Sequence, residues 1–580
     1  MARTVGIGIQ SFEKLIERNC FYIDKSEFIS EWWENKDDVT LITRPRRFGK
    51  TLNMNMLERF LSIEYTGQGK VFEGLSIWKD EKYRNLQGTW PVIALSFAGI
   101  KASSFQEAKK SLLFLIEKLF NRFEFLLKED CLNEKEKLFI KNVSVDMDDY
   151  SAVSSLGTLS EYLYHYYGKR VIILLDEYDT PLQEAWIYGY WQEMVEFIRG
   201  LFNCTFKTNP YLERAIMTGS TRVSKESIFS DLNHLEVVTT TSEKYENSFG
   251  FTEEEVWEAL KECGLYENCQ EVKNWYDGFT FGKKRDIYNP WSIINYLDKK
   301  RFSTYWANTS SNGLVNKLIR EGSTEIKSSM ESLLKGEHLY KEIDEQIIFD
   351  QLNTKEGHSS DENAVWSLLL ASGYLKVESY TLNENTGEDL YELALTNKEV
   401  HIMFRKMIKK WFAGLGTVYN GFIKALLQDD VKSMNTYMNK VALATFSYFD
   451  SGKKPSAETE PERFYHGFVL GLSVELADRY RITSNRESGF GRYDVMLEPR
   501  IMDSTAIIKS RDRDAIIMEF KVRDNEDEAT LEDTAEEALK QIERQQYGAA
   551  LEARGLPRER IRKYGFAFEG KKVLIKGGQA

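Results

Sequence analysis

The sequence predicts an α/β protein with a doubly wound parallel sheet, a helical middle region and a second, smaller α/β unit. Three observations predict it. Short apolar strands alternate with helical patterns over residues 1–245. Helical periodicity then dominates over residues 246–450. A polar stretch at 451–462 holds two prolines and no apolar periodicity, and strand and helix patterns resume over 463–580.

Each element has its own signal. VTLIT (Val39–Thr43), PVIALSF (Pro91–Phe97), RVIILLD (Arg170–Asp176), ERAIMTG (Glu213–Gly219) and LEVVTT (Leu235–Thr240) read as strands. Several are apolar on both faces, as a buried parallel sheet requires. Between them lie segments such as SFQEAKKSLLFLIEKLFNRF, with apolar residues at helical spacing. Thr252 followed by Glu255 forms a capping box that opens a helix. WSLLLASGYLKVESY, NENTGE and LYELALTNKEV read as helix, strand, turn, strand and helix. That order fits a winged-helix module, and equally a helical bundle carrying a hairpin. Beyond the linker, a helix is expected over Glu462–Tyr480, then strands at RYDVMLEP and AIIMEFKV. A long helix ending near Leu551 and a last strand or two in KYGFAFEGKKVLI complete the unit.

At 580 residues the chain is too long for one core, and roughly three or four domains of about 150 residues are expected. With 42% hydrophobic residues and only 9 prolines, extensive disorder is excluded. A net charge of -13 excludes a generic polycation, so any nucleic-acid surface must be local. Cys20, Cys131, Cys204, Cys263 and Cys269 form no CxxC pair and no zinc spacing, which predicts reduced thiols in a cytoplasmic protein. Neither a signal peptide nor a run long enough to span a bilayer is present.

LITRPRRFGKTLNM (Leu41–Met54) sits where an apolar strand meets a helix, and its FGKT ending matches the close of GxxxxGK[ST]. Arg47, Phe48 and Gly49 form the loop, and Gly49 lets backbone approach phosphate. Lys50 supplies a point charge for β- and γ-phosphates, and Thr51 a hydroxyl for Mg²⁺. Arg44 replaces the first glycine, so the loop needs another conformation there or binds less tightly. VIILLDEYD (Val171–Asp179) is an apolar strand ending in acids: Asp176 for Mg²⁺, Glu177 to polarise an attacking water. In AIMTGSTRVSKES, Thr218 ends a strand, and Arg222 or Lys225 is a candidate γ-phosphate contact, or else a surface charge. WYDGF and YNPW read as packing rather than as ligand cages.

RPRRFGKT, LLDEYDTP, TGSTRVSKESIFSDLN, WYDGFTFG, IYNPWSI and YWANTSSN together resemble the divergent bacterial AAA-ATPase-like family, over most of residues 5–310. The resemblance implies a P-loop NTPase fold and ATP with Mg²⁺ as cofactors. Its motifs carry onto Lys50, Thr51, Asp176 and Glu177. An arginine-rich loop at the first glycine is typical of that family.

In the C-terminal unit, Glu519-Phe520-Lys521 alternates along a strand, so both polar side chains share one face and Phe520 points to the other. Asp494, on a neighbouring strand, completes a carboxylate pair able to hold Mg²⁺. Lys521 would orient water or offset developing charge. A structural ion pair is the alternative. With RFYHGFVLGLSVEL, TSNRESGFGRYDV and ALKQIERQQY, this pattern resembles the PD-(D/E)XK nuclease superfamily. That resemblance implies a restriction-endonuclease-like fold, a further acid at Glu475 or Glu487, and a supporting Gln541. Tyr547 does not match the Gln-x-x-x-Tyr spacing. The acidic RDNEDEATLEDTAEE (Arg523–Glu537) reads as a solvated loop, and PRERIRK (Pro557–Lys563) as a phosphate contact or a solvated surface.

The first expectation is an ATP-regulated, metal-dependent nuclease acting on DNA rather than RNA, in defence or mobile-DNA processing. The second is a nucleotide-dependent switch that binds DNA or a protein without cutting. A helicase-type motor is disfavoured, because paired helicase motifs are absent. A homo-oligomeric ring, for which Arg222 is one candidate finger in trans, and a monomeric switch both fit.

Overall fold

A computed structural model of the protein describes residues 3–220, 228–229, 232–307, 313–343, 362–383, 388–411, 416–449, 459–488, 491–500, 513–524, 528–570 and 572–578. Its contacts divide the chain into two units. The first comprises Met1–Ser311, Tyr340–Leu352 and Asn363–Val400, and the second Asn312–Leu339, Asn353–Glu362 and His401–Ala580.

The first unit is built on a five-stranded parallel sheet of β1 (Val39–Thr43), β2 (Val92–Ser96), β3 (Val171–Asp176), β4 (Leu212–Gly219) and β5 (Leu235–Val238). The strand order is β2-β3-β4-β1-β5. Every residue of β1 and β3 is buried, which is why their sequences are mostly apolar. Parallel neighbours require crossovers, and helices such as Phe105–Arg122 and Asp149–Tyr167 supply them. The order sets β4 between β1 and β3, so the carboxyl ends of all three converge.

A small antiparallel sheet follows, from β6 (Phe251–Thr252), β7 (Phe279–Phe281) and β8 (Lys284–Tyr288) in the order β6-β8-β7. The expected capping box is present: Thr252 accepts from Glu255 N, and the Glu255 carboxylate accepts from Thr252 N. A further sheet joins β9 (Leu339–Glu342), β10 (Leu375–Asn383) and β11 (Glu388–Leu395) in the order β10-β11-β9. The helix, strand, strand, helix order expected here is observed, and β9 is an addition to it.

In the second unit, β12 (Tyr480–Ser488), β13 (Gly491–Pro499), β14 (Ala515–Val522), β15 (Ile561–Glu569) and β16 (Lys572–Gly578) form a mixed sheet in chain order. Only β14 and β15 are parallel, joined through the helix Leu531–Arg544. Strand alternation splits the core in two. Ile516 and Met518 enter a large cluster with Phe468, Phe566 and Ile575, whereas Ala515 and Ile517 join Ile542, Tyr547 and Leu551. Gly565 lets the helix come close, since a Cβ there would lie 2.3 Å from the Ala535 carbonyl oxygen.

Several expectations for this unit need correction. The helix expected to Tyr480 is Thr459–Glu475, and Tyr480 begins β12, a strand whose polar residues hid it. The long helix stops at Arg544 and resumes as Ala549–Glu552, with Gln546 left-handed at φ 52° between them. The acidic run is in part a helix start: Thr530 and Asp533 form a capping box, and acids in a first turn favour the helix dipole. In PRERIRK, Arg560 and Arg562 pair with Asp514, and Arg558 and Lys563 with Glu543.

Among the described residues no helix is long and apolar enough to cross a membrane. All five cysteines are free thiols.

Behind β8, Lys273 stands among three acids, 2.6 Å from Glu253, 3.2 Å from Asp286 and 3.9 Å from Asp277. Burial, then the neighbouring Asp286, pushes the Asp277 carboxyl up to about 7. The folded state therefore holds a proton that the unfolded chain has already released above the ordinary carboxylate range. That stabilising contribution is complete at low pH and is lost as pH rises through about 7. Thermal melts across this window should show a falling transition in wild type, and Asp277→Asn should flatten the fall.

Candidate functional site

Residues 44–49 link β1 to the helix Lys50–Leu61. Left-handed backbone occurs at Arg47 (φ 68°) and Gly49 (φ 84°), and not at Arg44. The loop thus meets the missing first glycine with another conformation. The Arg44 side chain is fully buried. Its guanidinium donates to the carbonyls of Thr43, Thr239 and Lys244 and lies 4.4 Å from the Phe281 ring centre. Burial lowers its pKa to about 9, so it stays cationic at neutral pH. Arg44 therefore fastens the loop to the segment after β5.

Lys50 is buried, and its ammonium donates to the carbonyls of Arg44 (3.0 Å) and Pro45 (3.1 Å). It also lies 3.7 Å from Glu177. Thr51 Oγ1 donates to Asp176 Oδ2 at 2.7 Å, and Thr218 Oγ1 donates to Asp176 Oδ1. Burial, reinforced by Glu177, raises the Asp176 carboxyl above its ordinary value, and the two hydroxyls oppose that rise. Glu177 is itself left-handed, at φ 54°. Asp179 Oδ2 accepts from Ser220 N at 3.0 Å and from Gln183 Nε2 at 2.7 Å. The structure thus brings Lys50, Thr51, Asp176, Glu177 and Thr218 together at strand carboxyl ends, where α/β sheets bind ligands.

Other expected residues are arranged differently. The Phe48 ring is buried against Phe279 and Phe281, at 4.8 and 5.3 Å, and its carbonyl accepts from Gly250 N at 3.4 Å. The Arg47 guanidinium lies 4.5 Å from the Trp291 ring centre. Arg222 and Lys225 fall outside the described residues. The aromatic motifs do more than pack. Asn289 Nδ2 and Trp306 Nε1 donate to the Arg46 carbonyl at 3.3 and 2.9 Å, so YNPW and YWAN clasp the loop. Their signal was the polar atom beside each aromatic.

The second site lies on β13 and β14. Register places Val495 opposite Met518, so Asp494 and Glu519 adjoin. Asp494 Oδ2 accepts from Phe520 N at 2.8 Å. The Phe520 ring turns to the large core, 4.5 Å from Phe566 and 4.7 Å from Tyr465. Glu519 shares the other face with Gln541 and Tyr547. Gln541 Nε2 donates to Glu519 Oε1 and lies 3.1 Å from the Tyr547 hydroxyl. Glu519 is 3% exposed, and its Oε2 is buried without a hydrogen-bond partner among the described residues. Burial first and the Asp494 charge second push this carboxyl up to about 8, while Lys521 pulls the other way.

Tyr547 thus joins the site despite its spacing, because the left-handed Gln546 turns the chain back after the helix. Glu475 closes the helix Thr459–Glu475 and pairs with Lys409 at 3.0 Å. Glu487 falls on β12 opposite Arg492. Among the described residues, the three acids whose ligand atoms lie within 4.8 Å of one another are Glu253, Asp277 and Asp286, so Glu475, Asp494 and Glu519 do not form such a group.

Residues 6–229 match the family model of a predicted AAA-ATPase, and residues 460–577 match that of the PD-(D/E)XK nuclease superfamily. The first span holds Lys50, Thr51, Asp176, Glu177 and Thr218, and the second Asp494, Glu519, Lys521 and Gln541. An uncharacterized protein in the vnfD 5' region of Azotobacter chroococcum mcd 1 is 26% identical over 319 residues, which cover 54% of this chain and 56% of that relative. The chain carries an AAA-ATPase-like domain followed by a C-terminal PD-(D/E)XK nuclease superfamily domain.

Proposed function

We propose that this protein binds ATP with Mg²⁺ and uses its nucleotide state to regulate a metal-dependent nuclease that cuts DNA. The observation that carries the reading is the Glu519 carboxyl. A buried acid with one orphaned oxygen, beside a second acid, is costly as it stands. A divalent cation removes that cost, so Asp494 and Glu519 fit such an ion. When bound, it supplies charge to the scissile phosphate and acidifies a water.

The chain's own groups do the rest. Gln541 holds Glu519 in place from the crossover helix, and Asp494 is fixed by Phe520 N. Lys521 offsets negative charge developing on the phosphate. In the first domain, Lys50 exchanges the loop carbonyls for phosphates, Thr51 and Asp176 hold Mg²⁺, and Glu177 orients water. A net charge of -13 confines the DNA path to a local basic surface. Defence against foreign DNA, or processing of mobile DNA, suits a nuclease under nucleotide control.

The test is a cleavage assay on linear, circular and single-stranded DNA and on RNA, with Mg²⁺ or Mn²⁺, with and without ATP. Lys521→Ala should lower cutting by roughly 10²-fold or more. Lys50→Ala should remove the response to ATP while leaving the metal site intact. Intact DNA under every condition, with ATP still bound, would replace the nuclease by the non-cutting switch.

A second experiment reads the metal site directly. In chelator, wild-type thermal stability should fall as pH rises through about 8, because the folded state must then release the Glu519 proton. Glu519→Gln should hold its transition across that range. Mn²⁺ should raise the wild-type transition and leave that of Glu519→Gln unmoved; an equal rise in both would remove Glu519 from the ligand set.

A further inference from the structure

We propose that Arg46 reads the γ-phosphate of ATP, a cation supplied by the same loop that holds the nucleotide. The proposal rests on the ATP reading above and concerns which residue completes that site.

The three loop arginines have three different fates. Arg44 is buried on carbonyls, and Arg47 lies over Trp291. Arg46 is exposed and turns to the end of β3, where its guanidinium donates to Gln183 Oε1 at 2.8 Å. Gln183 sits in the helix Thr180–Tyr188, directly after Asp176, Glu177 and Asp179. Its amide nitrogen donates to Asp179 Oδ2, which also accepts from Ser220 N at the end of β4. Arg46 therefore spans from the loop to the strand end that carries Glu177. Lys50 lies 3.7 Å from that Glu177.

The resting partner of Arg46 is a neutral amide. A phosphate oxygen offers a charge-assisted, bidentate contact of roughly twice the strength, and guanidinium geometry suits it. ATP presents such oxygens at the γ position and ADP does not, so ATP draws Arg46 from Gln183 and ADP leaves it there. The main chain meanwhile stays fixed, because Trp306 and Asn289 hold the Arg46 carbonyl. Only the side chain moves, between two defined partners.

The same contact assists hydrolysis. Water oxygen bonds to the γ-phosphorus, and the bond to the β–γ bridging oxygen breaks with its electron pair passing to the β-phosphate. The water proton leaves by way of Glu177 to the phosphate released. Arg46 offsets the charge that grows on the γ-oxygens. Arginines in that role contribute about 10³- to 10⁵-fold in other nucleotide hydrolases.

The experiment compares ADP, ATP and a slowly hydrolysed ATP analogue on the full chain, by equilibrium binding and single-turnover hydrolysis. Arg46→Ala should keep ADP affinity within about threefold, lose the preference for ATP over ADP, and slow hydrolysis by at least about 10²-fold. Arg46→Lys should recover part of the preference and little of the rate, since lysine lacks the fork. Gln183→Ala should strengthen ATP binding and not ADP binding, because it removes the resting partner. An Arg46→Ala protein that still prefers ATP as wild type does overturns the proposal and leaves the ATP site standing. Failure of wild type to bind any nucleotide overturns both.

Discussion

A carboxylate buried on a strand must find hydrogen-bond donors or a cation, and both sites in this chain are built around that constraint. At Asp176 the donors come from two other elements: Thr51 from the helix after β1, and Thr218 from the end of β4. This arrangement needs β4 between β1 and β3, and the strand order provides it. Glu519 is met differently. Gln541 covers one oxygen, and the other stays buried and bare. The first acid is closed by hydroxyls at rest, whereas the second keeps a coordination position open. That difference follows from the neighbouring strands, since β13 offers Asp494, a second acid, where β4 offers a threonine.

The parts of this architecture with a periodic signature were legible in the sequence. All five strands of the parallel sheet lie where apolar runs predicted them, and β1 and β3 are buried along their whole length. The alternation Glu519, Phe520, Lys521 was legible for the same reason: period two assigns faces before any coordinate is known. β12 was not, because Tyr480–Ser488 is largely polar, and the expected helix ran on to its first residue. Tyr547 was judged by its spacing along a continuous helix, and a single left-handed residue at Gln546 defeats that measure.

The contacts that secure the nucleotide loop left no such trace. Asn289 and Trp306 reach the Arg46 carbonyl across 243 and 260 residues of chain. A side chain that bonds to a distant main-chain oxygen imposes no periodicity on its own segment. The aromatics of YNPW therefore read as packing, which describes their rings but not the polar atom of Asn289. Arg44 shows the same blindness from the other side. Its place at the first glycine suggested another loop conformation or weaker binding, and its burial on Thr43, Thr239 and Lys244 makes it a structural pin.

These pins also determine what lies next to the loop. Trp306 donates to Arg46, and the following residue, Ala307, donates its backbone N–H to the Glu399 carboxylate at 3.2 Å. Ser292, in the helix that Asn289 caps, donates to the same carboxylate at 2.8 Å. Burial pushes the Glu399 carboxyl up to about 7, so this acceptor is held against a desolvation cost that only its donors offset. Glu399 stands near the start of the helix Lys398–Trp411, and the first unit ends one residue later at Val400. Two hydrogen bonds thus join the nucleotide loop, through Trp306 and its neighbour Ala307, to Glu399 within the first unit.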